Sequence, residues 1–117
     1  MQIIPVASGK GGVGKSLLSA NLGIALGKAG KKVVLVDLDL GASNLHLVIG
    51  NHSPKAGIGT YINGTTKNFN DLITPTDYEN VYFIAGDAEL PGLTSLKLSQ
   101  KNDLIRKLQK VDTDYLI

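Results

Sequence analysis

The stretch Ser8-Gly-Lys-Gly-Gly-Val-Gly-Lys-Ser16 carries the strongest structural signal in this chain. From Gly9 onward it satisfies the pattern G-x-x-x-x-G-K-[ST], in which a glycine-rich loop joins a strand to a helix. The apolar residues 3–7 precede the loop, and a run rich in small and apolar residues follows it from Leu17 to Leu26. This context is the one that the pattern requires, and it predicts an α/β fold that begins with strand, loop and helix.

The residue types of this loop suit the binding of phosphate groups. Glycines let backbone N–H groups converge on phosphate oxygens, and the following helix adds the positive end of its dipole. We expect Lys15 to bridge the β- and γ-phosphates and the Ser16 hydroxyl to ligate Mg²⁺. The other expected nucleotide contacts are Gly11, Gly12, Val13, Gly14 and Leu17. A glycine-rich turn with a solvated lysine stays open as the alternative.

Further apolar segments predict a mostly parallel sheet. Residues 32–37, residues 81–85 and the run that begins at Asp114 have the β-branched and aromatic composition of strands. A βαβ unit of this length implies a right-handed crossover between parallel strands. Residues 57–66 predict a short helix and turn, residues 45–49 are ambiguous, and loops are expected over residues 41–44 and 86–92.

A second long helix is predicted over residues 97–110. Its spacing of apolar residues predicts a buried face made by Leu98, Ile105, Leu108 and Val111.

Composition excludes several classes of protein. The chain has 117 residues, of which 43% are hydrophobic, and this supports one modest core. The net charge is +2 and no basic run exceeds two lysines, so the sequence predicts no nucleic-acid or membrane-surface face. The absence of cysteines excludes disulfides and thiolate metal sites. No signal peptide or membrane span is evident, which predicts a cytoplasmic protein.

The form G-K-G-G-V-G-K-S, residues 9–16, resembles the deviant Walker A loop of the MinD/ParA ATPases. The resemblance implies a P-loop NTPase of three α/β/α layers that binds ATP and Mg²⁺. It also implies that Lys10 reaches the phosphates bound by the other subunit of a nucleotide-sandwich homodimer. A cation delivered only on dimerisation would neutralise charge that develops during γ-phosphoryl transfer. The alternative is a lysine that adds only general positive potential.

A second motif, V-L-V-D-L-D-L-G, covers residues 34–41. The family carries D-x-D here, and the resemblance implies that Asp39 holds Mg²⁺ through water or orients the attacking water, with Asp37 more structural. Carboxylates after a buried parallel strand lie where α/β sheets bind ligands. A helix cap or a plain loop carboxylate is the alternative for Asp39. Asn44 falls at the family's switch asparagine, and its alternative is a turn residue.

Four segments resemble, more narrowly, the MinD-like branch around the flagellar-number regulator FlhG and the YlxH proteins: residues 41–50, 85–93, 100–108 and 111–117. The family resemblance covers nearly the whole chain, but relatives continue after the position of Ile117 into a D-x-x-x-G switch motif. Residues 1–117 are therefore predicted to be the N-terminal part of one ATPase domain. Alone, they are expected to be marginally stable, to self-associate through the unpaired edge of the first strand and to hydrolyse ATP negligibly.

The leading interpretation is an ATP-dependent dimerising switch used in spatial positioning or assembly, in cell division or for flagella. A protein partner is expected to regulate hydrolysis, and any membrane contact is expected to come from residues after Ile117. One alternative is a cluster carrier of the Mrp or nitrogenase-iron-protein kind, which needs cysteines in that later region. Another is a nucleotide-binding module without turnover.

Overall fold

The computed structural model describes residues 1–6, 13–38, 56–62, 64–86 and 97–117, with the backbone alone at Val13, Lys15 and Ser16. Its elements are, in chain order, β1 (Gln2–Ile3), α1 (Val13–Lys28), β2 (Val33–Val36), α2 (Ile58–Ile62), a 3₁₀ helix (Phe69–Leu72), β3 (Thr74–Pro75), β4 (Val81–Ile84), α3 (Leu98–Gln109) and β5 (Tyr115–Leu116). The predictions for residues 41–44, 45–49 and 87–92 fall outside the described residues.

Within the described ranges the strands form a single sheet in the order β1-β5-β2-β4-β3. Strand β2 lies at its centre, and Val33 is in register with Val81 of β4 and with Tyr115 of β5, both parallel. Strand β1 is parallel to β5, whereas the short edge strand β3 is antiparallel to β4. The predicted mostly parallel sheet is confirmed, and β3 is an addition that the sequence did not predict.

Helices cover both faces of this sheet. Because side chains alternate along a strand, Val33 and Leu35 face α1, and Val34 faces α2, α3 and the 3₁₀ helix. Helix α1 approaches closely because Gly23 has no side chain: a Cβ there would lie 2.8 Å from Cδ2 of Leu35. The predicted three-layer arrangement is thus present. No helix among the described residues is long and apolar enough to span a bilayer.

The first strand is shorter than residues 3–7. Its pairing extends to Ile4, whose N–H donates to the carbonyl of Leu116 over 2.8 Å. Backbone N–H groups alternate in direction along a strand, so an N–H at Pro5 would point away from β5. Proline, which has no N–H, therefore removes no hydrogen bond between β1 and β5. Ala7 lies outside the described residues.

The extent of α3 agrees with the prediction, but its predicted buried face is wrong at two positions. Leu104, Leu108 and Val111 are buried, whereas Leu98 is 73% exposed and Ile105 is 52% exposed. With a rotation of about 100° per residue, positions seven apart lie on one side of a helix. Leu98 and Ile105 therefore share one side of α3, and this side is rotated by about a quarter-turn from the side of Leu104 and Leu108, which meets the core. The two sets of apolar residues lie on different faces of the helix.

Candidate functional site

The candidate site lies at the carboxyl edge of the sheet. Strands β1, β5, β2 and β4 are parallel, so their carboxyl ends meet at this edge, where α/β sheets bind ligands. Asp37 and Leu38 follow β2 here, and Ala85 and Gly86 follow β4. Helix α1 begins at the same edge because it connects β1 to the parallel β2.

Helix α1 begins at Val13, four residues before the predicted start at Leu17. Gly14, Lys15 and Ser16 are therefore part of its first turn. The first N–H groups of a helix have no partner within it and carry the positive end of the dipole. No acidic residue lies in this turn to neutralise them. The backbone therefore provides an anion site directly after the glycine loop.

Gly14 borders open space. A Cβ built at this position would meet no described atom within 4 Å. Packing within the described protein therefore places no demand for glycine here, whereas close approach of a phosphate to the backbone would. Leu17, in the same turn, is 48% exposed.

Several predicted site residues cannot be assigned contacts. Lys10, Gly11, Gly12, Asp39 and Asn44 lie outside the described residues. The same holds for three side chains, those of Val13, Lys15 and Ser16. Their roles stay predictions.

Asp37 is built into the end of β2. It is 6% exposed, and its N–H donates to the carbonyl of Ile84 over 3.0 Å, so β2 and β4 stay paired at this point. The next residue, Leu38, is exposed. The burial of Asp37 fits the structural role expected for the first carboxylate of the D-x-D motif.

Helix α2 is anchored against the carboxyl end of β4. The N–H of Ile58 donates to the carbonyl of Ala85 over 2.8 Å, and a Cβ at Gly57 would overlap the carbonyl oxygen of Gly86. The Thr60 hydroxyl donates to the Gly57 carbonyl over 2.9 Å. The packing of Gly57 against Gly86 was not predicted from the sequence. The only local signal was the two glycines, which were predicted to lie in a short helix and turn (residues 57–66) and in a loop (residues 86–92).

A cavity of about 320 Å³ is lined by residues of α2, of α3 and of the segment after α2, namely Tyr61, Ile62, Gly64, Thr66, Lys67, Gln100 and Asp103. The Tyr61 hydroxyl donates to Oδ2 of Asp103 over 3.1 Å and joins α2 to α3. Burial raises the pKa of Tyr61, and the hydrogen bond to the Asp103 carboxylate raises it further. None of the sequence-predicted site residues lines this cavity.

Residues 4–114 match the model of one family, the CobQ/CobB/MinD/ParA nucleotide binding domain. The chain belongs to this family. It is 33% identical over 117 residues to the septum site-determining protein MinD of Bacillus subtilis, a match that covers 99% of the chain and 43% of that relative. The chain thus spans less than half the length of this relative.

Solved structures agree with the family. The septum site-determining protein MinD of Pyrococcus horikoshii, complexed with Mg-ADP, is 35% identical with a TM-score of 0.83, over 98% of this chain and 46% of that one. Cobyrinic acid a,c-diamide synthase of Mycobacterium smegmatis, with an ATP analogue and magnesium, is 27% identical with a TM-score of 0.80, over 99% and 49%. The predicted MinD/ParA membership is confirmed, and the narrower FlhG/YlxH resemblance is not.

Proposed function

We propose that residues 1–117 are the N-terminal, phosphate-binding part of an ATPase domain of the MinD/ParA type. The observation that carries the proposal is the start of α1 at the carboxyl edge of the sheet, with open space at Gly14 directly after the glycine loop. Unpaired N–H groups and the helix dipole suit the phosphates of ATP. The Mg-ADP and ATP-analogue complexes of structures similar to this chain support the same ligand class.

Each loop residue then has a part in holding the nucleotide. The backbone from Gly11 to Leu17 cradles the phosphates, and Lys15 neutralises their charge. Ser16 and Asp39 would hold Mg²⁺, since hydroxyl and carboxylate oxygens are the ligands that this ion takes. When bound, Mg²⁺ offsets the negative charge that gathers on the phosphate oxygens during hydrolysis.

Lys10 has a regulatory role in the proposed function. We assign it to the phosphates of a second subunit, so that turnover requires an ATP-dependent homodimer. We assign Asn44 the role of a switch asparagine near the γ-phosphate. The whole protein would be a cytoplasmic switch in spatial positioning, with the septum-site relative pointing to cell division rather than flagella. A protein partner would set its hydrolysis rate.

The test is nucleotide affinity in three variants of this chain, Lys15→Ala, Lys10→Ala and Lys31→Ala, by titration calorimetry with Mg-ATP. Lys15→Ala should weaken binding by at least about tenfold, since it removes a charge-assisted contact to phosphate. Lys10→Ala should stay within a few-fold of the unaltered chain. Lys31 is exposed and follows the carboxyl end of α1, so its variant is the matched control for charge.

Equal losses in the Lys10 and Lys15 variants would refute the assignment of Lys10 to a second subunit. Undiminished affinity in the Lys15 variant would refute the phosphate site itself.

A further inference from the structure

Helix α3 has an exposed surface that takes no part in the core of the described residues. We call Lys97, Leu98, Lys101, Ile105 and Arg106 the basic stripe. Leu98 is 73% exposed and Ile105 is 52% exposed, and they lie two helical turns, about 10 Å, apart with Lys101 between them. Two large apolar side chains on one exposed side of a helix form a surface suited to another molecule.

The surface of α3 is predominantly basic. Residues 97–110 contain five basic residues and one acidic residue, a net charge of +4, whereas the whole chain carries +2. The acidic residue, Asp103, already accepts from Tyr61 and lies 3.7 Å from Arg106. Lys101 makes no side-chain hydrogen bond or ion pair with the rest of the described chain. The stripe therefore favours an acidic occupant with an apolar group.

A surface of the complementary kind exists on the same chain. Residues 68–80 contain three acidic residues and no basic one. We call Asp77, Tyr78 and Glu79, in the turn between β3 and β4, the acidic tip. All three are exposed, and Tyr78 is 40% exposed, an aromatic side chain between two carboxylates. Neither carboxylate has an ion-pair partner within the described ranges.

The acidic tip is held rigidly, so binding would cost little conformational entropy. The Thr76 hydroxyl accepts from the N–H of Tyr78 over 3.1 Å and donates to the carbonyl of Val81 over 2.7 Å. Asn80 adopts a φ of 62°, and its side-chain amide donates to the carbonyl of Gly27 in α1 over 3.0 Å. This last bond fixes the tip on the side of α1.

The tip cannot reach the stripe of its own molecule, because α1 and α3 lie on opposite faces of the sheet. We propose that the basic stripe of one copy binds the acidic tip of a second copy. The Tyr78 ring covers the gap between Leu98 and Ile105, and the carboxylates of Asp77 and Glu79 pair with the basic side chains. The contact requires no nucleotide and differs from the proposed sandwich dimer.

The geometry of this contact predicts its behaviour. It joins two different surfaces, so each copy keeps one free stripe and one free tip, and association continues head to tail. One aromatic ring and two carboxylates make a small interface, so the affinity is low. Charge pairs at the protein surface are screened by salt, with a Debye length of about 10 Å at 0.1 M and about 3 Å at 1 M.

The test is sedimentation velocity of the 117-residue chain without nucleotide, over a range of concentrations at low and high salt. The weight-average sedimentation coefficient of the unaltered chain should rise with protein concentration, and about 1 M NaCl should remove most of this rise. Lys101→Glu and Glu79→Lys, each made alone, should weaken association by at least about tenfold. The double variant should regain it, because the two charges are exchanged. Lys31→Glu is the matched control and should behave as the unaltered chain.

Other outcomes overturn the proposal. A chain that stays monomeric at every concentration would overturn it. Association that changes with neither salt nor a single charge reversal would also overturn it, and would indicate pairing at the edge of β1 instead. The same variants are tested on vesicles with phosphatidylglycerol and on a DNA duplex. A monomeric chain that binds either one, with loss in Lys101→Glu, would assign the stripe to that ligand instead.

Discussion

The hydroxyl of Tyr61 donates a hydrogen bond of 3.1 Å to Oδ2 of Asp103, a residue 42 positions later in the chain. This bond joins α2 to α3. The Tyr61 ring also meets Phe69 edge to face, with centroids 5.2 Å apart. Helix α2, of five residues, is too short to be stable by itself. These two contacts and the anchor at Gly57 hold it in place beside the candidate site.

Tyr61→Phe removes the hydrogen bond and keeps the ring. We expect the free energy of unfolding to fall by about 1 kcal/mol, which is the usual net contribution of such a hydrogen bond to stability. Urea unfolding at neutral pH measures the change. Tyr78→Phe is the control, because the Tyr78 side chain is exposed, and it should leave the free energy within about 0.5 kcal/mol. A loss in the control equal to that in Tyr61→Phe would contradict this account.

Alkaline pH should weaken the fold through the same residue. The pKa of Tyr61 is raised in the folded state from its ordinary value of 10.0. A raised pKa means that the folded state holds the proton more tightly, so the contribution is complete below pH 10 and is lost as the pH rises through the folded-state value. Unfolding followed from pH 8 to pH 11 should show a steeper loss in the unaltered chain than in Tyr61→Phe. Parallel curves would rule out this linkage.

Gly57→Ala and Gly14→Ala should separate packing from ligand binding. At Gly57 the added methyl group overlaps the carbonyl of Gly86, and we expect a destabilisation of about 2 kcal/mol or more, because backbone must move. At Gly14 the methyl group meets open space in a helix, so stability should hold or rise by up to about 1 kcal/mol.

Mg-ATP affinity should instead fall in Gly14→Ala, where the methyl group occupies the space proposed for phosphate. Thermal unfolding and calorimetric titration measure the two effects. Unchanged affinity would mean that no ligand approaches the backbone there.

Leu104→Ala and Leu98→Ala test which face of α3 meets the core. Leu104 is 6% exposed, so its truncation should cost about 2–5 kcal/mol, the range for buried leucines. Leu98 is mostly exposed, so Leu98→Ala should change the free energy of unfolding by less than about 0.5 kcal/mol. Urea unfolding of both variants decides the point, and comparable losses would restore the face that the sequence predicted.

Asp39→Ala should act on hydrolysis more than on binding, since its proposed contacts are the metal's water shell and the attacking water. We expect Mg-ATP affinity within a few-fold and a loss of turnover of about a hundredfold or more, measured on the longer protein as phosphate release. The ATP-bound dimer should accumulate in this variant. Unchanged turnover would exclude Asp39 from the reaction.

The sequence by itself determined the elements with strong local patterns. The glycine loop between an apolar run and a helix predicted the order of β1 and α1, and the β-branched run Val33–Val36 predicted a buried parallel strand. These signals are local, because backbone propensity and the spacing of apolar residues depend on neighbours in the chain. The same local signals predicted the nucleotide-binding residues of the loop.

Contacts between distant segments were decided by the tertiary structure. The spacing of Leu98 and Ile105 is helical, yet the sheet meets a different side of α3, because burial depends on what packs against a helix as well as on its pattern. The fit of Gly57 against Gly86 and the bond between Tyr61 and Asp103 likewise join residues far apart in sequence. No local pattern encodes such a pair, since each exists only when packing brings the two segments together.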